Sequence, residues 1–328
     1  ITQHPRRRPA CALHPSPPFT KELKLQPSVD ITAKSWGMVA VLGLIWGSTF
    51  LVIEVALEGI TPFWLAAGRI TFAALLTSAI WGLRGWRFHL GPDRDWPGLF
   101  AVGLLSTAVP FQLLSWGQQY VTSAFAGVSM ASVALIVLPL SHFLIPGERI
   151  TPRRLLGFII GFFGVVVLLG QQSFVATGAP FEWLGQIACL LAASCYAISS
   201  VIMRRLPAID AIGLSAVTLI IGAVFVVSVA FAVKGPPSLP TKQTLIILAF
   251  LGLVPTAGAN LIRVLLIRSA GPVFMSLTNY QVPMWSVILG ILVLGEPVHN
   301  SLFIALILIL CGVGLSQYGA LKRLFGRA

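Results

Sequence analysis

Long apolar runs separated by short polar segments dominate the chain from residue 37 onwards. Each run approaches the roughly 20 residues that an α-helix needs to cross the hydrocarbon core of a bilayer. The pattern predicts an all-α integral membrane protein with ten transmembrane helices. We place them at 37–56, 62–82, 98–117, 124–144, 154–171, 183–203, 211–233, 243–265, 272–294 and 300–320.

The distribution of basic residues supports this number of helices. Short cytoplasmic loops of membrane proteins collect Lys and Arg. With the N-terminus placed inside, 19 of the 22 Lys and Arg residues fall in cytoplasmic segments, only Lys234 and Lys242 fall outside, and Arg69 lies within a helix. The bias predicts a multi-pass protein with both termini in the cytoplasm.

Composition narrows the class of protein further. The chain has 328 residues, of which 56% are hydrophobic and 10% charged, whereas a soluble chain carries about 25% charged residues. The net charge of +12 is spread over loops and forms no patch, which argues against a nucleic-acid partner. No C-x-x-C, H-E-x-x-H or G-x-S-x-G motif occurs, so we expect no metal, no cofactor and no enzyme activity. Cys189, Cys195 and Cys311 are predicted to be small buried residues.

Two stretches of the sequence read alike at a constant spacing. Gly147-Glu148 is followed by Gly164, and Gly295-Glu296 by Gly312; positions 147 and 295, like positions 164 and 312, differ by 148. Such a repeat is typical of transporters built from two related halves. Because five helices per half is an odd number, the second half is predicted to be inverted in the membrane.

The repeat divides the chain into four predicted parts. These are a disordered basic N-terminal arm at 1–36, a first five-helix repeat at 37–171, a second, inverted five-helix repeat at 183–320, and a cytoplasmic tail at 321–328. The arm is rich in proline and arginine and has little apolar periodicity, which is why we predict disorder there.

Several short motifs together resemble the EamA-type family of the drug/metabolite transporter superfamily. They are Trp46-Gly47-Ser48-Thr49-Phe50, Arg69, Gly147-Glu148-Arg149-Ile150-Thr151 and Gly295-Glu296. The resemblance covers roughly residues 37–320. It implies ten helices in two inverted repeats and the movement of small metabolites, very often amino acids, outward across a bacterial inner membrane. The exporters linked to aromatic amino acids are the members to compare first. Many members carry Lys or Arg where this chain has Glu54.

Polar side chains within the helices are the candidate binding residues, since they are costly in hydrocarbon unless they face protein or a water-filled cavity. The offset of 148 relates Gln112 to Asn260. Both amides follow a proline, Pro110 or Pro255, that would loosen the helix and assist gating. Amides can both donate and accept, which suits a zwitterion; the alternative is a hydrogen bond between helices.

The ninth predicted helix carries the densest polar cluster, and proline at its centre would free backbone groups near a cavity. The residues are Asn279, Tyr280, Gln281, Pro283 and Trp285. We predict that this cluster binds substrate.

Trp46 lies too deep for the interfacial aromatic belt, and Tyr196 lies near its counterpart position in the second repeat. The tryptophan is therefore predicted either to pack in the core or to form a wall on which a planar substrate stacks.

Glu54 and Arg69 carry the charges within the outer part of the predicted helices. The leading interpretation is an ion pair that clamps two helices together. The alternative makes Glu54 a carboxylate that couples transport to protons.

These observations predict an inner-membrane exporter of amino acids, with neutral and aromatic ones favoured, or of similar small metabolites. It would act as a monomer by alternating access about a midplane cavity, without ion coupling. Alternatives are a proton-coupled exporter of cationic drugs that uses Glu54, an exchanger of phosphorylated sugars with Arg263 as its candidate cation, and a structural membrane protein that transports nothing. The expected partners are a small-molecule substrate and the lipid bilayer.

Overall fold

A computed structural model of the protein describes residues 32–88, 95–144, 150–172, 181–206, 209–237, 239–275, 277–296, 300–316, 318–319 and 322. The regular secondary structure of these residues is helical throughout. The helices are α1 Ala33–Leu57, α2 Pro62–Leu83, α3 Trp96–Gly103, α4 Val109–Gly117, α5 Ser123–Ser129, α6 Ser132–Leu144, α7 Pro152–Gln172, α8 Glu182–Arg205, α9 Ala211–Lys234, α10 Lys242–Leu251, α11 Ala259–Met275, α12 Thr278–Leu294 and α13 Asn300–Ser316. Two π-helical turns, Leu104–Ala108 and Gly252–Gly258, join α3 to α4 and α10 to α11.

Seven helical segments of the described chain are long and apolar enough to cross a membrane. They comprise α1, α2, α3 with α4, α5 with α6, α8, α9, and α10 with the start of α11. The helix α7 has 21 residues, and the apolar helices α12 and α13 have 17 each. The chain is therefore an all-helical membrane protein.

Helix boundaries recur at the spacing seen in the sequence. The helix α3 ends at Gly103 and α10 at Leu251, 148 positions later, and a π-helical turn follows each of them directly. The helix α7 begins at Pro152 and α13 at Asn300, again 148 positions apart. The ends of α1 and α8 show the same offset. The repeat is thus present in the backbone, including its irregular turns.

Several predicted boundaries were wrong. The helix α1 begins at Ala33, because Thr32 caps it by accepting a hydrogen bond from the Ser35 N–H at 3.3 Å, so the N-terminal arm is shorter than predicted. The predicted loop between the eighth and ninth helices is helical, since α11 continues to Met275. The Gly147-Glu148-Arg149 motif lies outside the described residues, as does nearly all of the N-terminal arm and of the C-terminal tail.

Small residues let α7 and α13 pack with their backbones in contact. A Cβ atom added at Gly157 would lie 2.5 Å from the carbonyl oxygen of Gly312. Close approach through glycine is a common way of packing helices in membranes. Large apolar side chains on the outer faces, such as Leu292 and Val224, remain more than half exposed and form a surface suited to lipid. Cys189 is buried as predicted, whereas Cys311 is exposed on that surface, so the prediction for Cys311 was wrong.

Candidate functional site

A cavity of about 520 Å³ lies at the centre of the helices. The first half of the chain lines it with α1, α2, α4 and α6, and the second half lines it with α8, α9, α11 and α12. These are the same four helices of each repeat, and both π-helical turns also contribute. The helices α7 and α13 take no part in the described lining. A central cavity of this volume falls within the range of small-molecule sites, roughly 300–1,000 Å³.

Arg69 is held in the cavity wall by residues of both halves. Its Nε donates a hydrogen bond to Thr256 Oγ1 at 2.9 Å, and its guanidinium carbon lies 4.0 Å from the centre of the Phe111 ring. Tyr196, which also lines the cavity, interacts with it electrostatically. The side chain is 6% exposed, so this positive charge is almost fully removed from bulk water.

Trp46 and Pro255, both predicted site residues, meet at the cavity. The Trp46 Nε1–H donates to the Pro255 carbonyl oxygen at 3.1 Å, and both residues line the cavity. That carbonyl lies in the second π-helical turn, where backbone groups are less regularly paired than in an α-helix. The tryptophan therefore serves as a wall of the cavity and also fastens the turn to α1.

Asn260 and Tyr196 also line the cavity, as predicted. The Asn260 Nδ2 donates to Ser215 Oγ at 2.6 Å, which connects α11 with α9. The amide thus bridges two helices within the cavity wall, and substrate binding by Asn260 stays a prediction. Gln112, its repeat counterpart, is absent from the described lining. Its amide oxygen and amide nitrogen are both buried and have no hydrogen-bond partner among the residues that the structure describes. Pro110, its neighbour, is buried in α4 and likewise does not line the cavity.

The polar cluster of α12 is divided between two helix faces. Asn279 and Pro283 line the cavity, whereas Gln281 and Trp285 pack against α1 at Gly43 and Gly47. Residues four apart share one face of an α-helix, and residues two apart point in nearly opposite directions.

Tyr280 also lies outside the lining, and its hydroxyl is buried without a hydrogen-bond partner. Tyr280, Gln281 and Trp285, which were predicted to bind substrate, therefore lie outside the described lining of this cavity.

Glu54 and Arg69 do not form the predicted ion pair. Arg69 points to Thr256 in the cavity wall, whereas the charged neighbours of Glu54 are Glu296 and Glu58, with the Gln118 amide close by. The Oε2 atom of Glu54 has no hydrogen-bond partner, and Glu54 is not among the described residues that line the cavity. The clamp between these two residues was thus a wrong prediction.

Glu296 belongs to the repeated Gly-Glu motif, and the structure gives it a structural role. Its Oε1 accepts a hydrogen bond from the Ser123 N–H at 2.7 Å, and its Oε2 accepts one from the Ala124 N–H at 3.1 Å. These are the first two N–H groups of α5, which have no partner within the helix. Gly295 permits the connection, because its φ of +64° turns the chain sharply after α12.

Sequence reasoning missed or underrated several cavity residues that carry the chemistry discussed below. They are Phe111, Ser215, Thr256 and Arg263, all of which line the cavity. Thr256 follows Pro255 directly, so the predicted loosening of that helix was the signal that could have indicated it. Nothing in the sequence indicates which ring covers Arg69.

An all-helical membrane protein with a central cavity shared by two repeated halves has the architecture of a transporter. The sequence profile of the EamA-like transporter family matches residues 34–170 and again residues 183–317. The chain belongs to the EamA-like transporter family. It is therefore a membrane transporter, with a small molecule as its substrate and lipid as its surroundings.

Related proteins agree with this class. The chain is 24% identical over 291 residues to the uncharacterized transporter YoaV of Bacillus subtilis, covering 88% of this chain and 97% of that protein. It is 27% identical over 286 residues to the uncharacterized inner membrane transporter YedA of Escherichia coli K12, covering 87% and 90%. A crystal structure of a protein with 22% identity superposes with a TM-score of 0.59 over 88% of this chain and 98% of the other. That likeness concerns the fold.

Proposed function

We propose that this transporter exports amino acids, or similar small metabolites, by alternating access about the central cavity. The two halves would form inverted five-helix repeats that rock relative to each other. The observation that carries the proposal is the composition of the cavity wall, to which the same four helices of each repeat contribute. Relative motion of the halves would therefore open the cavity towards one side of the membrane and then towards the other.

The chemistry of the wall supports a small amphipathic substrate. Apolar and aromatic side chains such as Trp46 and Phe111 supply surface for a hydrophobic body. Arg69 supplies a positive charge that can meet a carboxylate. The amides of Asn260 and Asn279 supply neutral donors and acceptors.

In this proposal the transporter resides in the inner membrane of a bacterium and functions as a monomer. Both of its termini lie in the cytoplasm. The distribution of basic residues in the sequence supports this orientation. The relative YedA is named as an inner membrane transporter.

Two alternatives have less support. A carrier of cationic drugs needs an acidic group at the cavity, and the described lining contains neither Asp nor Glu. Glu54 in particular lies among Gln118, Glu58 and Glu296. A structural protein that transports nothing has no need of a cavity that both of its halves line with polar as well as apolar side chains.

The test is counterflow uptake of a labelled panel of amino acids and small organic acids into liposomes that contain the purified protein. Substrate should accumulate transiently when the liposomes are preloaded with unlabelled substrate. The variant Asn279→Ala should lower the initial rate by about tenfold, which equals ~1.4 kcal/mol at 25 °C.

The matched control is Gln281→Ala, a second amide-to-alanine change on the same helix but on the face that packs against α1. Its rate should stay within about twofold of the original, if it folds to the same thermal midpoint. Absence of counterflow for every compound, with binding or without it, would refute the transport proposal. Equal loss in both variants would refute the assignment of the cavity.

A further inference from the structure

We infer that the cavity selects organic acids that carry a carboxylate and no ammonium group, with Arg69 as the anchor of the carboxylate. This inference rests on the proposed transport function, and within its substrate class it selects the similar small metabolites over the amino acids themselves. It favours the anion of an aryl- or alkyl-substituted acid over the zwitterion of an amino acid.

The described hydrogen bonding of Arg69 uses one of its donors. A guanidinium has five N–H donors and no acceptor. The Nε–H is used by Thr256, and the Phe111 ring covers one face. No described residue accepts a hydrogen bond from the two terminal nitrogens. Those nitrogens form the planar fork that matches a carboxylate with two parallel hydrogen bonds.

The Thr256 hydroxyl is oriented to hold the guanidinium in place. Its own hydrogen is donated to the Leu251 carbonyl oxygen at 2.8 Å, five residues earlier, so its oxygen is the acceptor for Arg69. The Nε donor is therefore fixed from α10 and the second π-helical turn. A long side chain that is already fixed loses less freedom when it binds a ligand, which favours affinity.

The charges around the cavity are unbalanced. Arg69 and Arg263 both line it, and the described lining contains no carboxylate. A buried charge without a partner is strongly unfavourable, so buried ions in proteins are normally paired. The missing negative charge is supplied if the substrate itself is an anion.

The zwitterion of an amino acid fits this wall less well. Its ammonium group would add a third positive charge near Arg69, and like charges at close range repel. Only neutral acceptors, such as the Asn279 amide and the Tyr196 hydroxyl, could face it. Removing the ammonium group from the same molecule removes that repulsion and keeps the carboxylate.

Arg263 supplies a second positive charge to the cavity wall. It lies seven positions after the Thr256 residue that holds Arg69, roughly 10 Å along one continuous helical segment. In this proposal Arg263 attracts the anion into the cavity and Arg69 binds its carboxylate. The body of the acid would lie against Trp46, Phe50 and Phe111.

The experiment compares three compounds with the same aromatic body on the protein in lipid nanodiscs. They are 3-phenylpropanoate, an anion; phenylalanine, a zwitterion; and 2-phenylethylamine, a cation. Equilibrium dialysis of labelled 3-phenylpropanoate, with the other two as competitors, gives the three affinities. We expect the anion to bind at least about tenfold more tightly than the zwitterion, because the ammonium group of the zwitterion would be a buried charge without a partner. The cation should not compete.

Variants connect the selectivity to Arg69. Arg69→Gln should lose anion binding, and Arg69→Lys should retain a part of it, because the charge remains and the planar fork is lost. Arg263→Gln should slow binding with a smaller loss of affinity. The control is Arg153→Gln, since Arg153 lies outside the cavity over the Tyr318 ring. If Arg69→Gln fails to fold, the three compounds on the unchanged protein and on Arg263→Gln still decide the question.

Each outcome has one meaning. Equal or tighter binding of phenylalanine, or unchanged anion binding in a folded Arg69→Gln variant, would overturn this inference and leave transport intact. Selective anion binding without counterflow in liposomes would support the inference and refute the proposed function. Failure of all three compounds to bind at millimolar concentration would overturn the inference. The counterflow assay with the wider panel of compounds would then test the proposed transport function independently.

Discussion

Arg69 and Thr256 are 187 positions apart in the sequence and are joined by a hydrogen bond of 2.9 Å. The bond connects the first repeat with the second at the wall of the central cavity. Thr256 owes its position to a π-helical turn, in which its hydroxyl reaches the carbonyl oxygen of Leu251 five residues earlier. An irregular turn of one repeat thus determines where the guanidinium of the other repeat points.

The first prediction concerns this bond. Thr256→Val keeps the shape of the side chain and removes the acceptor, so the buried Arg69 Nε–H loses its partner. We expect the free energy of unfolding to fall by about 1.5–3 kcal/mol, the usual contribution of a hydrogen bond to a charged group. Affinity for 3-phenylpropanoate should also fall. Thermal unfolding and equilibrium dialysis measure the two effects.

Thr71→Val is the matched control, because the Thr71 hydroxyl bonds only the Ala67 carbonyl within its own helix and does not line the cavity. It should leave anion affinity unchanged. A Thr256→Val protein with normal affinity would show that the guanidinium does not need this acceptor.

The second prediction concerns the close approach of α2 to the second π-helical turn. A Cβ atom added at Gly252 would lie 2.6 Å from the Arg69 carbonyl oxygen, which is backbone and cannot swing away. Gly252→Ala should therefore push α2 from the turn and lower the midpoint of thermal unfolding. We expect a loss of about 1–3 kcal/mol, as for overpacking elsewhere.

Gly37→Ala is the control for this change, since Gly37 is also helical and has no atom within 4 Å of an added Cβ. It should be neutral or slightly stabilising, because alanine favours a helix over glycine. Equal midpoints for the two variants would disprove the tight contact at Gly252.

The third prediction concerns the carboxylate that caps α5. Glu296→Gln removes the charge and replaces one acceptor by an N–H group that faces a backbone N–H. Two hydrogen bonds to a charged acceptor are weakened together, so the free energy of unfolding should fall by about 1.5–3 kcal/mol. The exposed Glu58 offers the control, because Glu58→Gln removes a nearby charge without breaking a described hydrogen bond. A stable Glu296→Gln protein would contradict the role given to this cap.

The fourth prediction follows from transport of an anion alone. If no other ion accompanies it, an inside-negative potential should drive labelled 3-phenylpropanoate out of proteoliposomes. For one net charge, the final concentration ratio should change by about fiftyfold per 100 mV. A potassium gradient with valinomycin sets the potential, and the retained label gives the ratio. A ratio that ignores the potential would indicate exchange or a co-transported ion.

The sequence predicted the helical class, the transporter family and much of the repeat, because each depends on length, composition and spacing. Apolar runs of membrane length leave few structures other than helices. The spacing of 148 reappears in the ends of α3 and α10 and in the starts of α7 and α13. Trp46 lines the cavity, and the stacking of a planar substrate on it stays a prediction.

The orientation of each helix about its own axis was harder to predict. In a soluble protein the apolar stripe identifies the buried face, but in a membrane both the lipid and the protein interior accept apolar side chains. The helix α12 therefore gave no sign that Asn279 faces the cavity while Gln281 faces α1. The same uncertainty produced the wrong pairing of Glu54 with Arg69.

The glycine contact between α7 and α13 has a consequence for how the molecule could move. The backbones touch at Gly157 and Gly312, with no side chains between them to slide or repack. These two helices also stand apart from the described cavity wall. They would form a nearly fixed contact between the two halves while the helices that line the cavity tilt around it. A bulky residue at Gly312 should therefore lower the transport rate without contacting the cavity. The affinity for substrate should stay unchanged.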